Sequence, residues 1–119
     1  MHYSILIYDS EATVDALSRE EMSDRIAKHR ALQKEMSGKG KLGPVVRLAP
    51  TTSAVSLRKQ GGETLILDGP FTETKEQFVG FYVVTCDTLE EAIEAARMLP
   101  LDSGTLEVRP IAWLRPEDD

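Results

Sequence analysis

Apolar positions follow two different periods along the chain. Residues 2–8, HYSILIY, alternate every second position. Ile5 and Ile7 fall on one face and Leu6 and Tyr8 on the other, which predicts a strand with bulk on both sides. From residue 18 the spacing lengthens. Met22, Ile26, His29, Gln33 and Met36 share one narrow stripe at the helical period, with Leu32 beside it. Ser18 and Glu21 have the spacing of a capping box, and Gly38 and Gly40 supply a stop, so a helix is predicted over 18–37. Short extended pieces follow at 42–49 (LGPVVRLA), at 54–58 (AVSLR) and, after a Gly-Gly turn, at 63–67. Residues 78–86, FVGFYVVTC, are apolar on both alternating faces, which predicts a central strand covered on both sides. A second helix is predicted over 88–98, TLEEAIEAARM, capped by Asp87 with Glu90 or by Thr88 with Glu91. Its inward stripe is Leu89, Ala92, Ile93 and Ala96, and Pro100 stops it. A last strand is predicted over 105–114, where Pro110 points to an edge or a bulge.

The order strand, helix, strands, strand, helix, strand is the α+β ferredoxin-like pattern, an antiparallel sheet with two helices on one face and an elaborated middle hairpin. The opposite face is left bare. Here the first, central and last strands would place large apolar side chains on it. Several hundred Å2 of such surface is unusual on a monomer. A second copy of the same sheet is the simplest cover, so a homodimer through the helix-free face is expected.

The length of 119 residues fits a single domain, read as 1–115, followed by an acidic tail at 116–119. Apolar residues make up 41% and charged residues 29%, the balance of an ordinary soluble domain. The net charge of −6, half of it from Glu117, Asp118 and Asp119, and the lack of a Lys/Arg run argue against direct nucleic-acid binding. The N-terminus has no basic n-region and no span-length apolar run, so a cytoplasmic location with no membrane contact is expected. One cysteine excludes an internal disulfide. Two histidines and one cysteine argue against zinc, and GKGKLG at 38–43 follows a helix instead of opening one, so it is no phosphate loop. No cofactor is implied.

The stretches DGPFTETKEQ, GFYVV, DTLEEAIEAARMLP and EVRPI resemble the DGPF branch of the YCII-related proteins, with LAP at 48–50 and AVSLR at 54–58 in keeping. The resemblance covers nearly the whole chain. It implies a ferredoxin-like protomer forming a dimeric α/β barrel, with no firmly assigned reaction. Related YCII-like proteins pair a histidine of the first helix with a nearby aspartate. By that resemblance the histidine is His29, and the acid is Asp68 of the Asp-Gly-Pro-Phe motif. Some genes of this branch sit beside extracytoplasmic-function sigma factors, which implies a second, non-enzymatic reading.

The residues themselves leave several roles open. His29 lies on the inward stripe, so its ring needs a partner. That partner is a backbone carbonyl at the core edge or a carboxylate in a cavity, where the ring can exchange a proton near neutral pH. Asp68 precedes Gly69 and suits turn chemistry as well as acid chemistry. Pro70 directs Phe71 back as an apolar plug on a pocket or a dimer interface. Glu73, Lys75 and Glu76 read as the solvated side of that loop. Arg58 suits either a ligand carboxylate or phosphate, or open solvent. Arg109 is placed to reach an acidic neighbour, and Cys86 reads as a buried, inert thiol. Two functions compete. One is a small-molecule pocket in which His29 and Asp68 transfer protons and Arg58 and Phe71 contact the ligand. The other is an accessory protein that meets a sigma factor or similar regulator. A His29 cavity within 6 Å of Asp68 favours the first, at a separation where each charge moves the other's pKa (about 6 Å). An exposed patch outside the dimer contact favours the second.

Overall fold

The computed structural model describes residues 1–116, so Glu117 to Asp119 of the acidic tail lie outside the described residues. In chain order the elements are β1 (His2–Asp9), α1 (Glu11–Asp15), α2 (Arg19–Gly38), β2 (Leu42–Arg47), β3 (Val55–Gln60), β4 (Glu63–Asp68), β5 (Gln77–Thr85), α3 (Leu89–Ala96) and β6 (Thr105–Pro110). Four strands form one antiparallel sheet in the order β2-β5-β1-β6. Setting the β3–β4 hairpin aside, this is the ferredoxin-like arrangement. The hairpin is an insertion between β2 and β5 and forms a two-stranded sheet of its own.

Local chemistry accounts for the helices. The Ser18 side chain accepts from the Glu21 N–H while the Glu21 carboxylate accepts from the Ser18 N–H, which is the expected capping box. At α3 the cap is Thr88, which accepts from the Glu91 N–H. The Glu91 carboxylate turns instead to Lys41 and to the Asp87 N–H. The short α1, capped by Ser10, was not expected. Five residues are too few to show a helical period in a sequence.

One core lies between the helices and one face of the sheet. Opposite residues Ile5 and Tyr82, and Tyr3 and Val84, share that face. They pack with Leu32 and Met36 of α2 and with Ala92, Ala95 and Ala96 of α3. Leu106 and Val108 of β6 flank them. The helices therefore cover a single face, as expected. Gly80 of β5 allows β2 to close onto it, since a Cβ there would stand 2.4 Å from the Val46 carbonyl oxygen.

The inward stripe of α2 differs from the expected one. Leu32 and Met36 are buried, whereas Ile26 is 42% exposed. The charged Arg25 takes a place on the covered side, half-buried against Asp9. Hydrophobic patterning counts arginine as polar, which shifted the predicted stripe toward Ile26.

On the helix-free face, a bulge between Ile7 and Tyr8 brings Tyr8 opposite Phe78, next to the Leu6–Phe81 pair. The Tyr8 and Phe78 rings lie 5.4 Å apart, and the Phe78 and Phe81 rings 6.2 Å apart. Toward β6 the same face turns polar, with Arg109 held on Glu107.

The elaborated middle hairpin expected from the sequence is present, and it stands apart from the four-stranded sheet. All six residues of β4 are exposed, as are five of six in β3. The radius of gyration is 16.4 Å, against about 13–14 Å for a compact domain of this length. The projecting hairpin accounts for the difference in kind: it adds reach without adding core.

Candidate functional site

The site sits where β1 ends. Asp9 closes β1 and is 4% exposed. A carboxylate so deeply placed needs its oxygens satisfied. It accepts from Arg25 at 2.8 Å, from the Ser10 N–H at 2.8 Å and from the Ser103 hydroxyl at 2.9 Å. Arg25 reaches on to Asp102 at 3.1 Å and to the Ser103 hydroxyl at 2.7 Å. Burial disfavours the guanidinium charge, but the bonds to Asp9 and Asp102 outweigh it and raise the Arg25 pKa. The loop after α3 approaches this pair closely at Gly104, which has φ +81° and whose added Cβ would stand 2.2 Å from the Tyr8 carbonyl oxygen. That combination requires glycine.

One turn along α2 from Arg25 is His29. Its Nδ1 lies 2.8 Å from the Tyr82 hydroxyl of β5, and the two rings stack at 5.8 Å. The Gln33 amide donates to the same hydroxyl at 3.1 Å. With its oxygen accepting from Gln33, the Tyr82 O–H is free to donate to His29 Nδ1, and the ring then carries its own proton on Nε2. Burial lowers the His29 pKa, and the positive charges of Arg25 and Arg47 lower it further. Burial raises the Tyr82 pKa, against a smaller opposing effect of the Gln33 bond. Near neutral pH the pair is thus a neutral imidazole held by a protonated phenol.

His29, Arg25 and Asp9 share a cavity with Tyr8, Ser103 and Thr105. Its volume is about 20 Å3, enough for one water or one small polar group.

The site residues expected from sequence are not all brought together. His29 lines the cavity, and its partner is a phenol, where a backbone carbonyl or a carboxylate was expected. Asp68 is not among the cavity-lining residues. It ends β4 opposite Val55, exposed on the hairpin, and no hydrogen bond to its carboxylate is found among the described residues. The carboxylate of the cavity is Asp9. Arg58 is exposed on β3 opposite Leu65. Phe71 follows the turn in which Gly69 donates to the Ala54 carbonyl at 2.7 Å; it is 75% exposed in the single chain and lines no part of the His29 cavity, so of the two expected plug roles the pocket one is not seen there. Cys86 is buried with a pKa raised by burial, an inert thiol. Tyr82 was missed because it was read as a strand residue, and Asp9 because it lies just past the strand predicted over 2–8. The available signal for Asp9 was a lone charge ending an apolar strand, and for Tyr82 a hydroxyl on the inward face of β5.

Fold and site together define a small ferredoxin-like α+β domain with a half-buried histidine over its sheet. The YCII-related domain family model matches residues 1–115, and the chain belongs to the YCII-related family. It is 45% identical over 119 residues to a protein of Rhizobium meliloti (strain 1021) described as Uncharacterized protein R00369, with 98% of this chain and 96% of that one covered. Among the described residues no helix is long and apolar enough to cross a membrane.

Proposed function

We propose that this YCII-related protein binds the polar end of a small organic molecule at His29 and exchanges a proton with it. The observation that carries this reading is His29, held from behind by Tyr82 and Gln33, on the wall of a cavity that also holds Asp9 and Arg25. Nothing in the core requires a stacked His–Tyr pair there, since an apolar side chain would satisfy packing without desolvating an imidazole. A lowered pKa keeps the ring neutral at physiological pH, with one nitrogen that donates and one that accepts. Tyr82 fixes the ring and its tautomer. The cavity admits only one small group, so the body of the ligand lies outside it. The working unit is a cytoplasmic homodimer joined through the opposite, helix-free face, in the manner of a dimeric α/β barrel. The motive is the aromatic cluster of Tyr8, Phe78 and Phe81 on that face.

The test is a fragment screen by NMR on protein labelled at the histidine rings. Small carboxylic acids and enolisable carbonyl compounds should shift the His29 ring signals, and the same compounds should lose affinity about tenfold in Tyr82→Phe, the cost of one hydrogen bond. A screen whose hits leave the His29 signals in place would refute the reading.

A second reading, an accessory protein for an extracytoplasmic-function sigma factor or similar regulator, is supported by the exposed apolar hairpin. Co-expression with an extracytoplasmic-function sigma factor, followed by sedimentation of the purified mixture, separates the two. A one-to-one complex favours this second reading.

A further inference from the structure

The hairpin Val55–Asp68 is apolar on both of its faces. Val55, Leu57 and Ile66 share one, and Leu65 and Leu67 the other. Leu57 is 66% and Ile66 70% exposed. With Phe71 at its base, this leaves on the order of 500 Å2 of apolar surface in water on each chain. The hairpin is nevertheless anchored firmly at its root. Leu48 N–H donates to the Val79 carbonyl at 2.9 Å, Thr51 is bonded to the Glu11 carboxylate, and the Ser56 hydroxyl donates to the Gly69 carbonyl at 2.8 Å. Its two strands pair along their full length. A two-stranded hairpin is marginal in water by itself. A well-formed, anchored, two-sided apolar hairpin with no covering layer is built to be covered.

We propose that the hairpin is an arm that docks on a second copy of this chain, lying over the aromatic end of the partner's helix-free face. The inference rests on the homodimer of the preceding subsection and adds to it the element that clamps it. Three features favour a second copy as the occupant. Each chain carries one arm and one uncovered aromatic cluster, Tyr8, Phe78 and Phe81, so a two-fold dimer uses both in equal number. Two arms docked by one face each, together with the surfaces they cover, would bury on the order of 1,000 Å2, which added to the sheet-face contact reaches the range of stable dimers. The charges of the arm cancel, Arg58 and Lys59 against Glu63 and Asp68, so it can lie against a chain of net charge −6 without the repulsion that chain would offer an acidic element. The same docking carries Arg58, Asp68 and Phe71 out of their own chain and onto the partner.

Sedimentation equilibrium and photo-crosslinking test this. A photoreactive phenylalanine replaces Ile66 in nitrogen-15-labelled chains, which are mixed with unlabelled wild type before irradiation. The expected crosslinks join the labelled arm to unlabelled peptides of β1 and β5. The double variant Leu57→Asp with Ile66→Asp should weaken the dimer about a hundredfold. Its unchanged His29 and Tyr82 signals would show that the domain still folds. A dimer as tight in the variant as in wild type would overturn the arm while sparing the sheet-face dimer. Crosslinks confined to one chain would also overturn it. A wild type monomeric at 100 µM would overturn both and would give the arm to a different protein.

Discussion

The strand Gln77–Thr85 and the hairpin Val55–Asp68 are both rich in apolar residues, yet they lie at opposite extremes of burial. In β5, Gly80, Tyr82, Val83 and Val84 are buried. In the hairpin no residue is buried. β5 pairs with strands on both sides and carries helices on one face. The hairpin pairs only with itself, so a chain of the same apolarity has no layer to pack on. The contrast shows that hydrophobic content drives burial only where the topology supplies a second layer. Where the topology supplies none, the apolar surface stays in water, and the proposed docking of the arm rests on that exposure.

The largest effect should come from the point where the sheet is locked. Asp9→Ala leaves the Arg25 guanidinium without its innermost partner, and the Ser10 N–H and Ser103 hydroxyl without theirs. Breaking so enclosed a pair should cost about 3–5 kcal/mol in chemical denaturation. A cost below about 1 kcal/mol would show that water enters the cavity and re-solvates Arg25.

Next comes a matched pair of leucines. Leu32→Ala, at a fully buried site, should cost about 2–5 kcal/mol. Leu57→Ala on the arm should change the stability of the dilute, monomeric chain by no more than about 0.5 kcal/mol. Urea titrations at nanomolar and at micromolar concentration check this. Equal losses at the two sites would erase the contrast between body and arm.

The smallest effect is electrostatic. The His29 midpoint should lie below 6.5, because burial and the charges of Arg25 and Arg47 disfavour the imidazolium. The unfolded chain then binds a proton at His29 before the folded chain does. The His29 contribution to stability is therefore complete above pH 6.5 and declines as the pH falls from there toward the folded midpoint. Arg47→Gln should move that midpoint upward, and an NMR titration of the ring reads it directly. A midpoint that moves downward, or not at all, would place Arg47 outside the field of the site.

Much of the fold was legible because local patterns specified it. The capping box at Ser18 and Glu21, the alternation in 2–8 and the two-faced apolar run in 78–86 each name an element without reference to distant residues. Their order restricts the topology to the ferredoxin-like sheet. His29 was legible as well, since the helical period alone turns it toward the sheet.

What lay beyond the sequence depends on contacts between residues far apart in the chain. Asp9 and Arg25 look like two surface charges until β1, α2 and the loop at Ser103 meet. Tyr82 looks like a core aromatic until α2 sets His29 and Gln33 above its hydroxyl. Asp68 was paired with His29 through the family resemblance, and the departure of the hairpin from the sheet separates them. Periodicity is a property of neighbours within a few residues and determines which elements form and which way their faces turn. Charge pairing and the choice of covering layer are properties of three-dimensional distance, and those were decided by the tertiary structure.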